Sequence, residues 1–163
     1  MWGKEVLFPA HLYEGYYDRG PGEDFHMVTL NSALRISNST KTELDQLVQK
    51  VAKRIAQASN FLDVRATPQD WPAGPPDPLN GVRPHVSALE WKSMKWREAF
   101  WYVLNKDGLS SNLSKEVCDS ISRRARDGEG SFYLVAPISM AAKAKDWADR
   151  HQIRVTSFWV FSG

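Results

Sequence analysis

The last third of the chain constrains the fold most. Leu113, Val117 and Ile121 recur at helical spacing over a segment ending near Arg126, with Ser110 or Ser111 before them as an N-cap and Gly128 after them as a stop. Residues 132–136 are then only aromatic or aliphatic, the pattern of a strand buried on both faces. Ser139 opens a second helix that carries Ala141, Ala144, Trp147, Ala148 and His151 on one stripe, and residues 153–161 close as a strand. A strand, a helix and a strand joined by short links return to one sheet as a parallel crossover, which is right-handed. The chain therefore reads as α/β with a partly parallel sheet.

The middle of the chain supplies further elements. Leu44, Leu47, Val48, Val51 and Ile55 form one apolar stripe of a helix over residues 41–58, and Thr40 with Glu43 makes a capping box at its start. Residues 61–66 read as a strand. A loop over 67–84 follows, broken by Pro68, Pro72, Gly74, Pro75, Pro76, Pro78, Gly81 and Pro84, and long ordered loops are often functional. Residues 86–94 alternate as a strand does: Val86, Ala88, Glu90 and Lys92 share one face, and Ser87, Leu89, Trp91 and Ser93 the other. Residues 96–104 are apolar on nearly every side and suit either a strand or a helix, with Asn105-Lys106-Asp107-Gly108 ending them as a turn. Residues 1–39 are turn-rich, with a short strand or two between His26 and Ile36, such as 27–30, and are expected as an irregular extension packed on a domain of residues 40–163.

With 163 residues the chain has the size of one domain, large enough to bury a core without disulfides. Cys118 is the only cysteine, which excludes an internal disulfide and a Cys-based zinc cluster and points to a reducing compartment. No run approaches the roughly 18 apolar residues of a membrane span, and the first residues lack the order of a signal peptide. A soluble intracellular protein, cytoplasmic or associated with the nucleoid or nucleus, is the expectation. Lys and Arg exceed Asp and Glu by only 2, a balance that neither requires nor excludes a nucleic-acid partner. There is no P-loop, no dinucleotide fingerprint and no nucleophile elbow. His11, His26, His85 and His151 show no metal-ligand spacing and read as structural or surface groups. Seven tryptophans suit either a core of large aromatics or a surface that stacks on bases or a partner.

The combination that carries chemistry lies between Glu43 and Lys92. A helical Glu43 is followed by a strand, Pro76-Asp77, 12 residues, and Glu90-Trp91-Lys92. Glu90 and Lys92, two apart on a strand, point to the same face. An Asp arriving from a neighbouring turn could complete a pair of carboxylates for a hard divalent cation. Such a metal acidifies a bound water, and a lysine beside it stabilises developing charge. Asp77 is the first choice for that Asp, with Asp63 as its rival.

This order of elements resembles the PD-(D/E)xK nuclease superfamily, and within it the archaeal Holliday-junction resolvases and related restriction-endonuclease-fold enzymes. The resemblance covers residues 40–163. It implies a single restriction-endonuclease-like domain with a central mixed sheet flanked by helices. It also implies a metal-dependent endonuclease that hydrolyses phosphodiester bonds in nucleic acid, with DNA favoured over RNA. Asp77 and Glu90 would then be ligands to Mg²⁺ or Mn²⁺, Lys92 the catalytic lysine and Glu43 an accessory acid. The ordinary readings are a helix cap for Glu43, a turn for Asp77 and a solvated sheet face for Glu90 and Lys92.

Two alternatives follow from other residues. A non-catalytic nucleic-acid-binding module would use Arg123, Arg124, Arg126, Lys95 and Arg97 with exposed tryptophans, and its carboxylates would not converge. A protein-interaction module, as a homodimer or in a larger assembly, would present Trp96, Phe100 and Trp101. The three arginines also suit the last turn of their helix, where cations favour the dipole.

Overall fold

The stripe from Leu44 to Ile55 needs an apolar surface to lie on, and the sheet supplies it. The computed structural model describes residues 39–162, with side chains from Glu43 onward. The N-terminal extension, the strand read at 27–30, His11, His26 and the Thr40 side chain lie outside the described residues. Helix α1, Ser39–Ala56, buries Val48, Val51, Ala52 and Ile55 against the sheet, and Lys53 and Arg54 sit in its last turn, where positive charge favours the dipole. Strand β1, Phe61–Ala66, then runs back along the helix.

Next in chain order come β2, Val86–Lys92, and β3, Lys95–Val103. After them follow a short helix α2, Lys106–Leu109, helix α3, Asn112–Asp127, strand β4, Ser131–Pro137, helix α4, Ala141–Arg150, and strand β5, Ser157–Phe161. The five strands lie side by side in chain order. The pairs β1–β2 and β2–β3 are antiparallel, and β3–β4 and β4–β5 are parallel, so the sheet is mixed. Two successive crossovers of one hand in a sheet that grows in one direction place both helices on one face. Accordingly α3 and α4 share a cluster in which Val117, Ile121, Trp147 and Ala148 meet Phe100, Phe132, Leu134 and Phe158.

The other face, under α1, is an aromatic wall. Trp101 stacks on Tyr133 with centroids 4.9 Å apart and meets Phe61 and Trp159 edge-on. The two clusters sandwich the sheet, giving three layers, helix, sheet and helices. Burying each large side chain of this kind stabilises by roughly 1.5–3 kcal/mol.

The observed elements refine the expectations. The ambiguous stretch 96–104 is strand β3, because both its edges find partners. The turn expected at Asn105 is instead the start of α2, with the Asn105 side chain accepting from the Gly108 N–H. The helix expected from Ser139 begins as a 3-10 turn, Ile138–Met140, and becomes α-helical at Ala141. Of the expected closing strand, only Ser157–Phe161 pairs.

The proline-rich loop is fastened at both ends. The Ala66 N–H donates to the Gly74 carbonyl and the Thr67 N–H to that of His85, while the Trp71 indole donates to the Val64 carbonyl at 2.8 Å. The loop thus folds along the outer edge strand, and its Leu79 reaches the cluster on the α3/α4 side. No helix among the described residues is long and apolar enough to cross a membrane.

Candidate functional site

The two-residue period of β2 puts Glu90 and Lys92 on the α1 face, as the alternation predicts. Register sets their neighbours: Glu90 lies between Phe61 of β1 and Arg97 of β3. Glu90 is buried, and its Oε2 accepts a hydrogen bond from the Tyr133 hydroxyl at 2.7 Å. Its Oε1 is buried and has no hydrogen-bond partner among the described residues. An unmet oxygen on a buried carboxylate costs desolvation energy with nothing in return, so it marks a place where a further donor or cation would be favoured. Burial, then the neighbouring Glu90 charge and the hydrogen bond to it, push the Tyr133 phenol up, so that it stays protonated and donates.

Lys92 extends the same polar end of the sheet. Its Nζ donates to the Oγ of buried Ser131 at 3.1 Å. Arg97 donates through Nε to the Lys92 carbonyl and through Nη1 to Glu129 Oε1 at 3.2 Å. Ser131 and Tyr133 stand 39 and 43 residues from the groups they contact. In the sequence they sit in and beside an apolar run that reads only as core, so nothing there pointed to them.

The four residues that the sequence groups together are divided between two ends of the sheet. The loop carrying Asp77 joins the end of β1 to the start of β2, where Ala66 pairs with Val86, whereas Glu90 pairs with Phe61 at the far end. The separation along β2 alone, four residues at about 3.3 Å each, is roughly 13 Å. Asp77 is exposed, and Leu79, two residues on, packs in the cluster on the opposite face. Because α1 runs antiparallel to β1, Glu43 also stands at the Asp77 end. There it lines an open cleft of about 520 Å³ with Lys50, Asn105, Lys106, Asp107 and Pro137.

Asp63 is exposed at a bulge of β1, with a φ of 53°, and its carboxylate accepts from Arg65 Nε at 3.4 Å. Among the described residues no group of three or more His, Cys, Asp or Glu could hold a metal ion. By register Asp77 stands at the Val86 end of β2 and Glu90 at the other, so the expected pair of ligands is not brought together. The physical reason is chain direction: residue spacing fixed which face each side chain takes, and the reversals at either end of β1 fixed which end.

The cations expected at a nucleic-acid surface lie on the β2–β3 hairpin and on the C-terminal half of α3. Lys92, Lys95 and Arg97 flank the turn between β2 and β3 on the α1 face, and on the opposite face the last turn of α3 brings Arg124 onto Glu98 of β3. Arg124 grips Glu98 through two bonds of 2.8 and 3.1 Å, so its charge is already matched. Lys95, Arg123 and Arg126 are exposed and make no ion pair among the described residues. On the other side of the β2–β3 hairpin Trp91 and Trp96 are cross-strand partners, both exposed, with centroids 5.2 Å apart. Of the three rings expected at a protein-interaction surface, Phe100 and Trp101 are buried and only Trp96 is exposed. Cys118 is buried in the helix cluster, and burial pushes its thiol up, which keeps it unreactive.

Compared with family models, with curated proteins and with solved structures, the chain matches none.

Proposed function

We propose that this domain binds nucleic acid through the end of the sheet formed by the β2–β3 hairpin and the last turn of α3. One observation carries the reading. Between buried Glu90 and Glu98, which Arg124 holds, residues 91–97 carry Lys92, Lys95 and Arg97; Arg97 is paired with Glu129, so Lys92 and Lys95, with exposed Arg123 and Arg126, supply the unmatched positive charge in a chain whose net charge is only +2. A polyanion gains most from such local concentration, because each phosphate neutralised releases condensed counterions. The separation of Asp77 and Glu43 from Glu90 favours a binding module over a two-carboxylate nuclease. The order of elements, with Glu90-x-Lys92 on β2 and alternating helices and strands after β3, is compatible with the PD-(D/E)xK arrangement.

The test is fluorescence anisotropy of labelled DNA and RNA at several salt concentrations. Replacing Lys95, Arg123 and Arg126 together by alanine should flatten the log–log salt slope by up to about 3 units, since each phosphate contact contributes roughly 0.9. An unchanged slope would leave these cations as helix-end and solvated charges and would overturn the reading.

A second reading is favoured by the unmet Oε1 of Glu90 beside Lys92. In this reading Glu90, with phosphates of the bound strand, holds one Mg²⁺ or Mn²⁺, since Mg²⁺ sites often take only one or two carboxylates plus substrate oxygens. The ion would supply an acidified water for phosphodiester hydrolysis. Metal-dependent cleavage that disappears in a folded Glu90→Gln variant supports it. Absence of cleavage in the wild-type protein removes it and leaves the binding function intact.

A further inference from the structure

We infer that Trp91 and Trp96 stack on unpaired bases, so that the ligand of this surface is single-stranded nucleic acid. This rests on the nucleic-acid reading and narrows it. The sequence Trp91-Lys92-Ser93-Met94-Lys95-Trp96 folds back on itself, so that Trp91 faces Trp96 and Lys92 faces Lys95 across the hairpin. Strand alternation then sends both tryptophans to one side and both lysines to the other. The result is a ribbon with an aromatic face and a cationic face.

The aromatic face is not core that happens to be near the surface. Trp101, Trp147 and Trp159 are almost fully buried, and the indole of Trp71 is hydrogen-bonded to the edge strand. Trp91 and Trp96, in contrast, keep 47% and 42% of their surface exposed, and Met94 at the tip keeps 83%. The turn that carries Met94 is also strained. Ser93 and Met94 have φ of 54° and 65°, the left-handed pair of a two-residue hairpin that Asn-Gly would fill without cost. Beside the rings, Leu62 of β1 is half-exposed, and α3 and α4 pack over β3–β5 and do not cover this side of the sheet.

Ligand chemistry follows from ring geometry and charge. The rings meet edge-to-face at 61°, so their open faces look in different directions, and each can take one base. A duplex keeps its base faces stacked inside and offers only groove edges and phosphates, whereas an unpaired strand offers the faces themselves. Lys92 and Lys95, which face each other across the hairpin, complement a phosphate backbone crossing the tip, while Arg97 beside them is paired with Glu129. An apolar peptide or partner helix would meet the aromatic face but would gain nothing from these cations.

The experiment compares a short labelled oligothymidine with a blunt duplex of the same length, using wild type, Trp91→Ala, Trp96→Ala and the conservative Trp91→Phe and Trp96→Phe. Circular dichroism checks that each variant is folded. The wild type should prefer the single strand, and its tryptophan emission should be quenched on binding. Each alanine substitution should weaken single-strand binding roughly tenfold and leave duplex affinity unchanged, with phenylalanine restoring most of the loss. If duplex and single strand bind equally, or if folded alanine variants bind the single strand as wild type does, the inference is overturned while the nucleic-acid reading survives. If no nucleic acid binds even at low salt, both fall together.

Discussion

Acid should destabilise this fold through His85. The residue stitches the end of the proline-rich loop to β3: its backbone N–H donates to the Trp101 carbonyl, its carbonyl accepts from Thr67, and its ring stacks on Tyr102 with centroids 4.4 Å apart. The ring Nδ1 accepts the Val103 N–H at 2.8 Å, which only an unprotonated nitrogen can do. Burial lowers the His85 pKa from 6.5 to about 4.

Between those values the unfolded chain binds a proton that the folded one refuses, so stability falls as pH falls. The contribution flattens above about pH 7 and again below about pH 3. Each tenfold difference in proton affinity between the two states is worth about 1.36 kcal/mol. The loss relative to neutral pH is therefore about 2 kcal/mol at pH 5 and approaches about 3 kcal/mol when both states have titrated. Because the residue as a whole keeps some contact with solvent, these are upper bounds. Urea denaturation at about pH 7.5 and about pH 5 should be run on wild type and on His85→Asn, whose amide oxygen can accept the Val103 N–H without titrating. The wild type should lose up to about 2 kcal/mol more than the variant over that interval. Parallel declines would refute the assignment and move the acid sensitivity to other groups.

Two further substitutions test the packing. Gly130→Ala would place a Cβ 2.1 Å from the Glu98 carbonyl oxygen, backbone that cannot yield without parting β3 from β4, so a loss above about 2 kcal/mol or failure to fold is expected; unchanged denaturant stability would contradict this close approach. Replacing Ser93-Met94 by Asn-Gly should relieve the left-handed strain at the hairpin tip and add roughly 0.5–2 kcal/mol, read as a higher thermal midpoint, and an equal or lower midpoint would show that the turn carries no such strain.

Periodicity is local, and what it governs was legible in the sequence. The 3.6-residue stripe from Leu44 to Ile55 became the buried side of α1, the apolar run 132–136 became the interior strand β4, and the alternation of 86–92 put Glu90 and Lys92 on one face and Trp91 on the other. His85 likewise proved a structural histidine. What periodicity does not carry is the direction of the chain through each reversal and the identity of partners far away in sequence. Stretch 96–104 became a strand only because β2 and β4 lie on either side of it. Glu90 met Tyr133 and Lys92 met Ser131 because parallel pairing brought the start of β4 beside β3. Glu43 and Asp77, placed by spacing beside Glu90, ended at the opposite end of the sheet, because a residue count measures distance along the chain and is blind to the turns that carry it back.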